Sequence, residues 1–153
     1  MVIAFCGHSH FERTSSLEAT LTNFLISTVG NNSVEFLLGG YGEFDDFAYS
    51  VCQKYKKINP RATLIFVTPY QENGYLKKRI GDRGEKYDCV EYPQIEDKLP
   101  KFAITHRNRY MVERADYVIA FVSHKWGGAY NTFAYAEKKG KRIFNIAQIR
   151  DLS

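Results

Sequence analysis

Cysteine is scarce and scattered in this chain. Cys6, Cys52 and Cys89 are an odd count at wide spacing, which argues against a disulfide framework and fits a reducing compartment. Neither Cys-x-x-Cys nor His-Glu-x-x-His occurs, so His8, His10, His106 and His124 lack metal-binding spacing, and no metal or other cofactor is expected. No apolar run is long enough to span a bilayer. The opening Met1-Val2-Ile3-Ala4-Phe5-Cys6-Gly7 has neither the basic start nor the long apolar stretch of a secretion signal. A cytoplasmic protein with no membrane partner is therefore expected. Low-complexity segments, domain linkers and internal repeats beyond two glycine turns are also missing. The 153 residues then suit one domain, 1–153, with enough material for a real core.

What is abundant is aromatic and basic. The 11 Tyr and 11 Phe suit core, interface and cleft walls. The formal charge of +4 comes partly from Lys54-Tyr55-Lys56-Lys57, Lys77-Lys78-Arg79 and Lys138-Lys139-Gly140-Lys141-Arg142, clusters typical of solvated helix faces and ends. No known nucleic-acid-binding module accompanies that charge, so nucleic acid is not expected as a partner.

Short apolar runs recur along the chain. Residues 2–6, 34–38, 62–67 and 117–122 suit buried parallel strands, with shorter candidates at 88–92 and 143–146. Helical spacing links Leu17, Leu21, Phe24 and Leu25, and again Phe47, Ala48, Val51 and Tyr55 within 45–57. Further helices are predicted over 102–115, carrying Arg107, Arg109, Tyr110 and Met111, and over 132–139, closed by Gly140. Ser15 with Glu18 fits a capping box, Gly30-Asn31-Asn32 ends the first helix, and Asn59-Pro60 stops the second. Residues 69–86 are polar and contain glycine, and read as a long loop or lid. The resulting β-α-β-α-β-(β)-α-β-α-β order predicts an α/β, three-layer Rossmann-like domain. Its sheet is open and mostly parallel, with helices on both faces.

Two glycine clusters fall where strands end and helices begin: Gly39-Gly40-Tyr41-Gly42-Glu43-Phe44-Asp45 and Gly127-Gly128-Ala129-Tyr130-Asn131-Thr132. Glycine lets a backbone approach a ligand, and free N–H groups at a helix start face an anion. In such a sheet the ligand lies beyond the C-terminal strand ends, so Gly7, His8, Ser9, Gly39, Gly40, Gly42, Asp45 and the 127–132 turn can converge there. The amides of both turns can hold phosphate oxygens, and Arg107 can add a guanidinium fork. Asp45 and Glu43 can accept hydrogen bonds from ribose hydroxyls. The bland alternative makes the glycines tight turns and the arginines surface charge. His8 has two roles open to it, reaching the cleft or tying its loop to the neighbouring turn. Trp126 has three: stacking on a base, packing beneath its loop, or filling a subunit contact.

Architecture and motif order resemble the SLOG superfamily, named for the Smf/DprA and LOG proteins. The likeness is strongest in Phe5-Cys6-Gly7-His8, in the first glycine cluster, and from Arg107-Asn108-Arg109-Tyr110-Met111 through Ala115-Asp116-Tyr117-Val118-Ile119-Ala120. It continues through Trp126-Gly127-Gly128 and Ala136-Glu137-Lys138-Lys139-Gly140-Lys141. Among SLOG proteins the chain looks most like the small YpsA-related members, in which a Gly-His-Arg-like turn follows the first strand. Ser9 replaces that arginine here and removes one phosphate contact. The resemblance implies a nucleotide or nucleotide-derived ligand, held by Gly7, His8, Ser9, Gly39, Gly40, Gly42, Asp45, Arg107, Gly127, Gly128, Asn131 and Thr132. With the many aromatics, it also implies a homodimer.

Compared with LOG enzymes, Arg107 and Met111 match an arginine and methionine before the second glycine motif, and Asp116 matches at the next strand. The LOG motif Pro-Gly-Gly-x-Gly-Thr-x-x-Glu is altered. Asn131 stands at the third glycine, with one extra residue before it, and Tyr135 stands at the catalytic glutamate. Cleavage of an N-glycosidic bond develops positive charge on the sugar, which a carboxylate stabilises and a neutral phenol does not. A sensor or carrier of nucleotides is thus favoured. The alternative is a nucleoside or nucleotide N-glycosidase, or a deoxyribosyltransferase relative, with Glu43 or Asp45 as the substitute carboxylate.

Overall fold

A computed structural model of the chain describes residues 1–71 and 87–147. The lid expected over 69–86 lies outside the described residues from residue 72 onward, as does the Lys77-Lys78-Arg79 cluster. The elements alternate as β1 (Val2–Gly7), α1 (Ser15–Val29), β2 (Val34–Leu38), α2 (Glu43–Ile58), β3 (Ala62–Val67) and β4 (Cys89–Glu91). A 3-10 turn (Pro100–Phe102) then precedes α3 (Ala103–Arg114), β5 (Tyr117–Phe121), α4 (Gly128–Lys138) and β6 (Arg142–Asn145). All strand pairs are parallel, in the order β4-β3-β2-β1-β5-β6.

Alternation along the strands splits the core into two layers, because successive side chains point to opposite sheet faces. Ile3, Phe5, Phe36 and Leu38 meet Leu21 and Leu25 of α1 and Phe44, Phe47 and Val51 of α2. Ala4, Cys6, Leu37 and Ile65 meet Met111 and Val112 of α3 and Phe133 and Ala136 of α4. From β1 the chain winds outward through β2 and β3, then returns through α3 to place β5 on the other side of β1. The direction of winding therefore reverses between β1 and β5. There the loops diverge and leave a crevice above the strand ends. No helix among the described residues is long and apolar enough to cross a membrane.

Three element ends differ from the sequence expectations. The α1 cap is Thr14 rather than Ser15, with its Oγ1 accepting from the Leu17 N–H at 3.1 Å. Helix α2 begins two residues earlier than expected, at Glu43, because Gly42 at φ 95° serves as its N-cap. Helix α4 begins four residues earlier, at Gly128, because Gly127 at φ 93° plays the same part. Helix propensity places glycine outside a helix, whereas these glycines supply the left-handed backbone that starts one.

Packing fixes the first glycine turn. A side chain at Gly40, whose φ is 66°, would place its Cβ 2.2 Å from the Phe66 ring. Gly40→Ala is expected to cost about 2–4 kcal/mol, combining left-handed strain with overpacking. Urea denaturation measures it. A midpoint equal to the wild type would refute the packing role.

Candidate functional site

The crevice above β1 and β5 is a cavity of about 330 Å³. The ends of β1, the first glycine turn, one face of α3 and the start of α4 wall it. Gly7, His8, Ser9, Gly39, Asp45, Arg107, Gly127, Gly128 and Thr132 line it, so residues far apart in sequence meet as the topology requires. Gly40, Gly42 and Asn131 are not on its wall. Glu43 faces a separate shallow depression with Phe11, Arg13, Asp46 and Phe47, where its Oε2 accepts from the Phe11 N–H at 2.9 Å. Ile104, Asn108 and Met111 also line the cavity, on the face of α3 that carries Arg107. Their i, i+4, i+7 spacing was a legible signal. His124 and Tyr41 carried no local signal.

The two glycine turns differ in what occupies them. At the first, the protein's own groups fill the space. Arg107 is 3% exposed. Its Nη1 donates to the Gly39 carbonyl at 3.0 Å and the Val67 carbonyl at 2.9 Å, and its Nε donates to Asn108 Oδ1 at 2.8 Å. A Cβ on Gly39 would stand 3.2 Å from the Arg107 guanidinium carbon, and one on Gly42 would stand 2.8 Å from the Ser9 Cα. The Ser9 carbonyl accepts from the Glu43 N–H at 2.9 Å, and Asp45 Oδ2 accepts from the Tyr41 N–H at 3.0 Å. Glu43, Asp45 and Asp46 further charge the first turn of α2 against an anion.

The second turn is open. A Cβ built on Gly127 or Gly128 meets nothing within 4 Å. Helix α4 has no side-chain cap and no acidic residue in its first turn. Among the described residues no acceptor takes the N–H groups of Gly128, Ala129 or Tyr130. Gly128 has an ordinary φ, so neither backbone strain nor packing requires glycine there. The positive end of the helix dipole thus faces the cavity with unpaired donors.

Three titratable groups on the wall are displaced from their ordinary values. Burial lowers the His8 pKa, and the neighbouring His124 lowers it further. The His8 ring lines the cavity and its Nε2 also accepts from the Ser123 N–H at 3.0 Å, so it both reaches the cleft and ties two turns together. Asp45 is half-buried, and desolvation pushes its carboxyl from 3.8 up to about 6. The Tyr41 N–H and the Arg107 charge oppose that rise, while Asp46 reinforces it. Among the described residues Asp45 is the one carboxylate on the cavity wall. Burial, with Asp45 beside it, pushes the Cys6 thiol up to about 12, leaving it protonated.

The chain shares its fold with DNA processing protein A. The X-ray structure of that protein from Streptococcus pneumoniae matches with a TM-score of 0.63 at 18% identity. The match covers 99% of this chain and 51% of that one. The protein from Helicobacter pylori matches with a TM-score of 0.63 at 17% identity, over 100% of this chain and 67% of that one. This chain therefore spans about half to two-thirds of their lengths. No protein-family model and no curated protein sequence matches it.

The Helicobacter pylori protein is described as having a unique single-stranded DNA binding mode. That finding corrects the expectation that set nucleic acid aside. The absence of a familiar binding module carries no weight when a protein of this fold itself binds single-stranded DNA.

Tyr135, at the position of the LOG glutamate, does not line the cavity. Its hydroxyl meets Glu113 on α3, and Arg109 and Lys139 lie over its ring.

The raised Asp45 pKa has a sign that can be tested. The folded chain holds this proton more tightly than the unfolded chain. The stability it contributes is complete below about pH 4 and is lost as pH rises through about 6. Asp45→Asn removes that loss. The variant should gain about 2 kcal/mol on the wild type between about pH 4 and about pH 7.5, somewhat less than two full pKa units because the group is partly exposed. Urea unfolding across pH measures it, and parallel curves for the two proteins would contradict it.

Proposed function

We propose that the chain binds a nucleotide or nucleotide derivative as a sensor or carrier, with its phosphate at the start of α4. One observation carries this reading. Gly128 opens onto the cavity beside unpaired amides, although the protein's own packing has no need of a glycine there. A missing side chain that the fold does not require leaves room for something outside the fold. The cavity volume falls at the low end of small-molecule sites, roughly 300–1,000 Å³, which suits one nucleotide unit better than two. Arg107 then shapes the site rather than grasping phosphate, since its Nη1 is committed to two carbonyls. Affinity with the small YpsA-related SLOG proteins is part of the same proposal and rests on the Gly7-His8 turn and the first glycine cluster.

Asp45 supports a second reading as an N-glycosidase. A carboxyl titrating near 6 can accept the proton of an attacking water while the sugar–base bond breaks. The shared fold supports a third, in which the nucleotide unit belongs to a single strand of DNA.

A panel of nucleoside monophosphates, inorganic phosphate, nucleosides and a single-stranded oligonucleotide separates the three by thermal shift and base release. Phosphate-bearing mononucleotides should raise the Tm, worth about 2.7 kcal/mol at a hundred times Kd, while nucleosides do not. Gly128→Ala should leave the free protein as stable or up to about 1 kcal/mol more stable, yet bind about tenfold or more weakly, because the new methyl group occupies the cavity. Base release abolished by Asp45→Asn would establish the enzyme. A response to the oligonucleotide alone would establish the strand. Wild-type affinity in Gly128→Ala would defeat the proposed phosphate position.

A further inference from the structure

We infer that the outer face of Trp126 is a base-stacking platform at the mouth of the cavity. The inference rests on the nucleotide reading above and adds to it the position of the heterocycle.

Three rings form one continuous stack. His8 lies on His124 with centroids 3.7 Å apart and planes 12° apart, and His124 lies on Trp126 at 3.8 Å and 20°. The inner end is fixed twice, by the Ser123 N–H on the His8 ring and by the edge-on Phe121 ring at 6.2 Å. The outer end is unfinished. His124 covers one indole face, and Trp126 remains 67% exposed on the cavity rim. This exposure rules out packing beneath its own loop. Among the described residues no cation lies over the indole.

The next two residues are Gly127 and Gly128, where the unpaired amides begin. A flat apolar face and an anion site therefore sit on one loop, and a molecule with a heterocycle and a phosphate has both. A fourth ring on the ladder would bury the exposed indole face and gain stacking that does not depend on base identity. The heterocycle can belong to a free nucleotide or to a base of a single strand, since both offer the same ring and phosphate.

Trp126 is the only tryptophan of the chain, so tryptophan emission reports on this ring alone. The full chain is titrated with AMP, GMP, UMP, CMP, ribose 5-phosphate, inorganic phosphate and a single-stranded deoxyoligonucleotide, following emission and Tm together. Mononucleotides should quench or shift the emission, whereas ribose 5-phosphate raises the Tm without doing so. Trp126→Ala should weaken mononucleotide binding about tenfold to a hundredfold, leave ribose 5-phosphate binding unchanged, and be largely rescued by Trp126→Phe. Quenching by the oligonucleotide alone upholds the platform and assigns the base to a strand. If mononucleotides raise the Tm but change neither the emission nor the affinity of Trp126→Ala, the platform is overturned while the phosphate site stands. Emission that changes with protein concentration and not with nucleotide overturns it in favour of a contact between copies. If no phosphate compound binds, the phosphate site and the platform both fail.

Discussion

A guanidinium buried at the ends of the strands is the constraint on which the site depends. Charge in a protein interior is tolerated only when its donors find acceptors, and Arg107 donates to the Gly39 carbonyl just after β2, the Val67 carbonyl at the end of β3 and the side chain of Asn108. In doing so it joins α3 to the opposite side of the sheet opening and fills the space under Gly39. The first glycine turn is thereby spent on the protein's own arginine. The start of α4, by contrast, carries amides that no acceptor among the described residues takes.

The cavity is consequently asymmetric. One wall carries the Asp45 carboxylate, and another carries the open amides of α4. A ligand negative at one end and hydrogen-bond-donating at the other suits both walls, which is the polarity of a nucleotide phosphate and its sugar. Asp45 would then be the group most sensitive to what occupies the site. Desolvation pushes its carboxyl up to about 6, and an anion nearby would raise it further.

Much of the fold was legible because parallel strands buried on both faces leave apolar runs that helices interrupt at regular intervals. The α/β class, the parallel sheet and the convergence of Gly7, Gly39, Asp45, Arg107 and Gly128 on one crevice were readable from that order. The individual roles were not. Gly7, Gly40 and Gly42 look like ligand-approach glycines in sequence, yet a Cβ on them would strike Phe44, Phe66 and Ser9, partners 26 to 37 residues away. Nothing local in the sequence shows that Arg107 is buried against the Gly39 and Val67 carbonyls rather than being surface charge. The early start of α4 was hidden because glycine at Gly127 and Gly128 depresses local helix propensity where the tertiary structure uses it to begin a helix. The ladder of His8, His124 and Trp126 joins positions more than 110 residues apart, beyond the reach of any local pattern.

Backbone amide shifts read by ¹H–¹⁵N correlation during titration with a nucleoside monophosphate test the central claim most directly, because the two glycine turns are observed side by side. The largest perturbations are predicted at Gly128, Ala129 and Tyr130, with the Tyr41 and Glu43 amides held by their protein acceptors and little moved. Perturbations confined to residues 40–43, with the start of α4 unchanged, would contradict the account.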